Sequence, residues 1–241
     1  MRRYALRVGL ACFVVLLVLM IAYTAVARQK AAVLKSDLAD ARQYLKGTVI
    51  VVDPGHGGDD PGAVVGETLE KHIVLEIARV LQQVLTEQGA RVVLTRETDT
   101  SLGGPMREEL GKRVALVEQN HADLFVSIHA NKDTCYCWGA QTFYQKNGMP
   151  AGQELAVAIQ SQLRRLTPTT RGPLPANYFV LRNSPAPAAM VEVGFLTNAK
   201  EQRMLQEPEY HRTLAQAITL GMADFLRLQV PEAHAGGSLG R

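Results

Sequence analysis

The stretch Thr48-Val-Ile-Val-Val-Asp-Pro-Gly-His-Gly-Gly58 opens as a β-branched apolar run and breaks, at Asp53-Pro54-Gly55, into a glycine-rich turn that carries His56. A short apolar run bounded by turn residues predicts a buried strand. Two later segments repeat the layout: Leu124 to His129, followed by Ala130-Asn131, and Ala188 to Val193, which holds Glu192. Each strand therefore delivers a histidine or a carboxylate at its C-terminal end, the edge of an open α/β sheet where ligands bind. Glu70, at the start of a helical pattern shortly after the first strand, adds a second carboxylate. Two histidines and one carboxylate are a common protein ligand set for catalytic zinc. The remaining carboxylate is then free to move protons.

Outward from this centre, apolar residues at Ile73, Val74, Ile77, Ala78, Leu81, Val84 and Leu85 predict a helix over Glu70 to Gln88, closed by Gly89. Ala90 to Thr95 predicts the second strand, Arg107 to Asn120 a helix, Gly139 to Tyr144 a fourth strand and Gly152 to Leu166 a further helix. The proline-rich segment from Thr167 to Ala176 reads as irregular, and Tyr178 to Leu181 as a fifth strand before the sixth at Ala188 to Val193. Glu201 to Gln206 and Glu209 to Leu228 are predicted as closing helices, with Pro208 at the start of the last. Strands alternating with helices predict an α/β fold: a three-layer sandwich around a largely parallel sheet of about six strands.

The N-terminus predicts the compartment. Arg2, Arg3 and Arg7 precede an uncharged run from Val8 to Ala27, which at about 1.5 Å per residue reaches about 30 Å, enough to span a bilayer. That run exceeds the usual signal-peptide core of about 7 to 15 residues, which favours a retained anchor, while Ala25-Val26-Ala27 offers a cleavage site. Either way the positive-inside rule puts the rest of the chain outside the cytoplasm. The expected layout is a signal-anchor or signal peptide over residues 1–27, a helical stalk over 28–45, a catalytic domain over 46–228 and a disordered tail over 229–241.

The 26 Lys and Arg are scattered among 23 Asp and Glu, for a net charge of +3. This mild balance gives no argument for nucleic acid and suits an anionic polymer. Of three cysteines, Cys12 lies in the membrane segment, and Cys135 and Cys137 flank Tyr136. The short spacing strains disulfide geometry, so two loop thiols are the expectation.

The motifs DPGHGGDDPGA, Glu70-Lys71 at a helix start, Leu94-Thr95-Arg96, Arg113, DLFVSIHAN, GAQTFY and VEVGFLTN together resemble the zinc-dependent N-acetylmuramoyl-L-alanine amidases of the type 3 catalytic domain, from about Lys46 to Leu228. The resemblance implies one Zn²⁺ held by His56, Glu70 and His129, with Glu192 as the catalytic carboxylate. It implies hydrolysis of the amide joining N-acetylmuramic acid to L-Ala of the peptidoglycan stem peptide. A compact domain on one N-terminal membrane segment, with Thr169-Thr170-Arg171, is most similar to the spore formers' branch that acts in cortex maturation, muramic δ-lactam formation and germination. A vegetative cell-separation amidase is the alternative, followed by a non-catalytic wall-binding module of the same fold and a zinc carboxypeptidase. An activating lipoprotein enters as a candidate partner.

The surrounding residues divide as follows. His72 lies about 200° around the helix from Glu70, so both cannot face one ion. His121, His211 and His234 read as surface residues, and Glu67 as a solvated loop carboxylate. Asp53 either orients His56 or Asn131, as metal-bound imidazoles usually require, or satisfies loop amides. Arg113 fixes the fold or contacts substrate, with the structural role favoured. Strand, helix, loop and strand use up the interval from His129 to Glu192, leaving no room for a plug over the site, although Arg171 and its neighbouring prolines could rest over the cleft.

Overall fold

The computed structural model describes residues 2–133 and 137–230, with backbone alone for 2–12 and 14. Expectations for Cys135, His234 and most of the tail lie outside the described residues. The chain forms two compact units, residues 1–40 and residues from 41 onward. One helix, α1 (Arg2–Leu45), runs through the whole of the anchor and stalk regions. It contains a stretch long and apolar enough to cross a membrane, a property that a signal sequence shares. Its last turn belongs to the second unit, where Ala41 and Leu45 are buried.

The second unit is built on a six-stranded sheet of order β4-β1-β5-β8-β6-β7, comprising β1 (Val49–Pro54), β4 (Arg91–Leu94), β5 (Leu124–Asn131), β6 (Gln141–Gln145), β7 (Leu174–Ala176) and β8 (Ala188–Phe195). The four strands β4, β1, β5 and β8 are parallel, and β6 joins β8 antiparallel, with β7 parallel to β6. On one face pack α2 (Glu70–Glu87), α4 (Pro150–Leu166) and α7 (Pro208–Gln229); on the other lie α3 (Met106–Gln119) and α5 (Phe179–Asn183). Covering both faces explains the continuous apolar runs, because a parallel strand has no solvent side. Every residue of β8 is buried. A short helix, α6 (Ala199–Met204), follows β8 and is capped by the Asn198 side chain, which accepts from the Lys200 and Glu201 amides.

Two elements differ from the sequence expectation. Tyr178 to Leu181 enters a helix instead of a strand: Val180 and Leu181 of α5 bury side by side in the cluster of Val51, Val117, Phe125 and Met190. A four-residue apolar run carries no period that separates the two states. The sixth strand is instead β7, inside the segment expected to be irregular. Pro175 is tolerated there because an edge strand does not need every amide for a ladder. A small antiparallel hairpin, β2 (Val64–Val65) and β3 (Thr68–Leu69), also precedes α2.

The helical layer depends on close approach of α4 and α7. A β-carbon on Gly221 would meet the backbone of Ile159 and the Ala158 carbonyl oxygen. Gly221→Ala should therefore force the helices apart and lower stability by about 1–3 kcal/mol, measured by urea denaturation; an unchanged midpoint would show that the layer has slack.

Candidate metal centre and catalytic cleft

Because β1, β5 and β8 are adjacent and parallel, their C-terminal ends lie together. His56 leaves β1 two residues past Pro54, His129 sits near the end of β5, and Glu192 is paired in register with His129. Glu70 is the first residue of α2, and its amide donates to the Ala63 carbonyl at 2.9 Å. A carboxylate suits this end of a helix, where free amides and the dipole favour negative charge. Its Oε2 accepts from the Ala63 amide at 2.7 Å and its Oε1 from the Ala130 amide at 3.0 Å. That same Oε1 lies 3.1 Å from His56 Nε2 and 3.0 Å from His129 Nδ1.

His56, Glu70 and His129 thus bring two imidazole nitrogens and a carboxylate oxygen within 4.8 Å of one another. A tetrahedral ion with bonds of about 2.0–2.1 Å separates its ligand atoms by about 3.3 Å, close to the spacing of Glu70 Oε1 from each ring. The three side chains can hold a metal ion. Their electrostatics favour a cation. Burial opposes ionisation of Glu70, but hydrogen bonds to His129 and His56 and their charges hold its pKa far below the usual carboxylate range. Burial opposes protonation of His56 too, yet Glu70 and Asp60 push its pKa up to about 9.

Glycine makes room for this packing. A β-carbon on Gly55 would collide with the His129 ring, and one on Gly62 would come 2.6 Å from both Glu70 Oε2 and His56 Cδ2. The glycine loop therefore yields space to protein side chains as well as to any ligand. His56 itself holds a left-handed backbone, φ 62°, which a β-carbon disfavours.

Glu192 lines one cleft with His56 and His129, is only 8% exposed, and its Oε2 has no hydrogen-bond partner among the described residues. Burial pushes its pKa up to about 7, against the pull of His129 and with the help of the Glu70 charge. The cleft has a volume of about 910 Å³, and its lining includes Asp59, Asp60, Met106, Leu110, Tyr178 and Val180. The short helix missed in the sequence thus supplies part of the cleft lining through Phe179 and Val180, while the His56 and His129 side chains keep 23% and 20% of their exposure.

The other expected site residues distribute unevenly. Asp53 orients neither His56 nor Asn131. It accepts from Thr95 Oγ1 at 2.6 Å, Ser127 Oγ at 2.7 Å and Arg113 Nη1 at 2.7 Å beneath the site. The residue that does hold His56 is Asp60, whose Oδ2 lies 2.7 Å from His56 Nδ1. The i, i+4 spacing within a glycine turn was the available sign, and the Gly57–Asp60 bridge closes that turn. Arg113 is buried and also donates to the carbonyls of Pro54 and His56 and to Glu109. Asn131 ends β5, its carbonyl accepting from the Leu196 amide.

Arg171 is not among the residues that line the cleft: it donates to the Trp138 carbonyl and Gln141 Oε1, both at 2.7 Å, and stacks over Phe195. His72 is exposed and meets Asp99 at 3.2 Å, off the cluster. Glu67 is exposed in the hairpin turn. His211 is buried instead of exposed, because its ring reaches the Leu205 carbonyl where α6 ends. Cys137 is disulfide-bonded and not the free thiol expected.

Residues 50–224 match the N-acetylmuramoyl-L-alanine amidase family. The germination-specific N-acetylmuramoyl-L-alanine amidase of Bacillus subtilis is 41% identical over 189 residues, covering 74% of this chain and 79% of that protein. The B. subtilis N-acetylmuramoyl-L-alanine amidase LytC is 36% identical over 184 residues, 75% of this chain but 36% of LytC. Among solved structures, the CwlD amidase from Clostridioides difficile, in complex with the GerS lipoprotein, superposes with a TM-score of 0.71 at 33% identity, covering 76% of this chain and 100% of that one.

The Asp53–Arg113 pair beneath the cleft yields a stability test. Burial would raise the Asp53 pKa, but Arg113 and the Thr95 and Ser127 hydroxyls hold it below its ordinary value. Its stabilisation is therefore complete above the unfolded carboxyl pKa of about 3.9 and lost as pH falls through the lower folded value. Asp53→Asn should lose up to about 3–5 kcal/mol at neutral pH by removing the more buried of the two carboxylates that neutralise Arg113. Urea denaturation across pH should show the gap from wild type constant above about pH 5 and shrinking below about pH 4; a gap independent of acid pH would contradict it.

Proposed function

This chain belongs to the N-acetylmuramoyl-L-alanine amidase family, and we propose that, with one zinc ion held by His56, Glu70 and His129, it serves in spore cortex maturation and germination. It is a hydrolase, an amidase of peptidoglycan, and its substrate places its action outside the cytoplasm. The bond cut is the amide between N-acetylmuramic acid and L-Ala of the stem peptide, and its removal along a glycan strand is the step that muramic δ-lactam formation requires. The observation that carries the catalytic reading is the buried Glu192 carboxylate, with an oxygen unpartnered among the described residues, in one cleft with His56 and His129 of the three-donor cluster.

What zinc supplies when bound is Lewis acidity towards the amide carbonyl and towards water. Three protein donors are the number typical of catalytic sites, where structural sites have four. Asp60 holds the His56 ring through Nδ1, leaving Nε2 for the metal. Glu192 accepts the proton of the attacking water and returns it to the departing L-Ala nitrogen. Its burial and its Oε2, unpartnered among the described residues, leave this carboxyl free to make both transfers.

The sporulation role rests on likeness to the germination-specific relative, which this chain matches over most of both lengths, whereas it matches about a third of LytC. The vegetative alternative lacks that support. A lipoprotein partner is proposed from the CwlD–GerS complex. Anchoring is proposed through α1, whose apolar stretch is the candidate membrane segment. A non-catalytic module would lack a ligand or Glu192; here His56, His129 and Glu192 line the cleft and Glu70 completes the donor cluster.

Glu192→Gln should keep the fold and bind one zinc per chain yet lower muropeptide hydrolysis by about 10²- to 10⁴-fold, because an amide cannot shuttle a proton. Zinc content and product chromatography on the same sample decide it. Wild-type turnover with one bound zinc would place the base elsewhere, though not at Glu67, the other carboxylate the sequence offered, which is exposed in the hairpin turn and does not line the cleft.

A further inference from the structure

Two buried guanidinium groups lie under the loop that carries His56. Arg113 is neutralised by Asp53 and Glu109. Arg96 is 3% exposed and, among the described residues, forms no ion pair. Its N–H groups instead meet four backbone carbonyls: Nε donates to Pro54 at 2.9 Å, Nη1 to Thr98 at 3.1 Å, and Nη2 to both Gly55 and Lys71 at 2.8 Å. A buried cation that served stability alone would be expected beside a carboxylate. This one makes its hydrogen bonds to peptide carbonyls, while Asp53 and Asp99 favour its charge without pairing with it.

Which planes it holds is the informative point. A residue's conformation is fixed once the rigid peptide units on either side of its α-carbon are fixed. The unit before the His56 α-carbon carries the Gly55 carbonyl, held by Arg96. The unit after it carries the His56 carbonyl, held by Arg113 Nη2 at 2.7 Å. Together they clamp His56 in its left-handed backbone, φ 62°, against the steric preference of any residue with a β-carbon. The bond to the Lys71 carbonyl extends the same planar group to the residue after Glu70.

We infer that Arg96 is a positioning residue of the metal centre: one guanidinium fork sets the separation and orientation of His56 and Glu70, and so the affinity of the site for zinc. The inference rests on the proposed ligand set. Lysine at this position could not reproduce it, since an ammonium is a point charge without the planar fork that reaches four carbonyls on three segments.

The test is a zinc titration of the full-length chain in detergent micelles, in competition with a chromophoric chelator, paired with urea denaturation of the same samples. Arg96→Gln should weaken zinc binding by about 10- to 100-fold, and Arg96→Lys by less. Leu163→Ala, which removes a fully buried side chain of α4, should lower stability while keeping wild-type zinc affinity. If Arg96→Gln does not fold, Arg96→Lys carries the comparison. Wild-type affinity in the folded Arg96 variant would overturn the inference, as would an equal loss of affinity in Leu163→Ala. Absence of zinc binding by the wild-type chain would overturn the functional reading and this inference with it.

Discussion

Parallel pairing of β1, β5 and β8 imposes a constraint from which the geometry of the site follows. Parallel neighbours need crossovers, so helices cover both faces and the three C-terminal ends emerge at one edge. His56, His129 and Glu192 meet because their strands are neighbours, not because they are close in the chain. α2 then starts at that edge, and its first residue, Glu70, takes the place between the two imidazoles. No long loop is needed to assemble the donors, which makes their spacing a property of the sheet.

Charge is arranged in two tiers at this edge. Below, Asp53 and Arg113 form a buried pair satisfied by hydroxyls and loop carbonyls, and Arg96 adds a cation bonded to carbonyls. Burial draws the Arg96 pKa down to about 10, aided by repulsion from Arg113, which leaves it charged at neutral pH. Above, Glu70 is held anionic between the histidines while Glu192, without a hydrogen-bonded cation, is pushed up to about 7. Two carboxylates a short distance apart thus have opposite environments, one suited to hold a cation and the other to exchange a proton.

Much of this was legible in the chain. The strands that matter are buried on both faces, so they appear as continuous runs such as Val49 to Val52 and Leu124 to Ile128. The α2 stripe and its closing Gly89, with φ 87°, are local signals. Long-range pairing left less trace. Asp53, which turns under the sheet to Arg113 sixty residues on, carries no local sign of that partner, whereas Asp60 turns back to His56 within one glycine turn. Arg96 carries no local mark of its four carbonyl contacts. Tyr178 to Leu181 failed as a strand because its packing partners, Val117 and Phe125 among them, come from elsewhere in the chain. His211 looked exposed because the carbonyl it meets, Leu205, lies before its own helix, at the cap that ends α6.

The central claim is that this cleft cuts the bond between sugar and peptide. Digestion of purified peptidoglycan by the zinc-supplied protein, followed by mass spectrometry of the soluble products, tests it most directly. The account predicts intact stem peptides with a new L-Ala amino terminus and glycan strands whose lactyl groups are free acids. Stem peptides shortened from their carboxyl ends and still attached to muramic acid would contradict it, since they would mean that the cleft acts on the far end of the peptide.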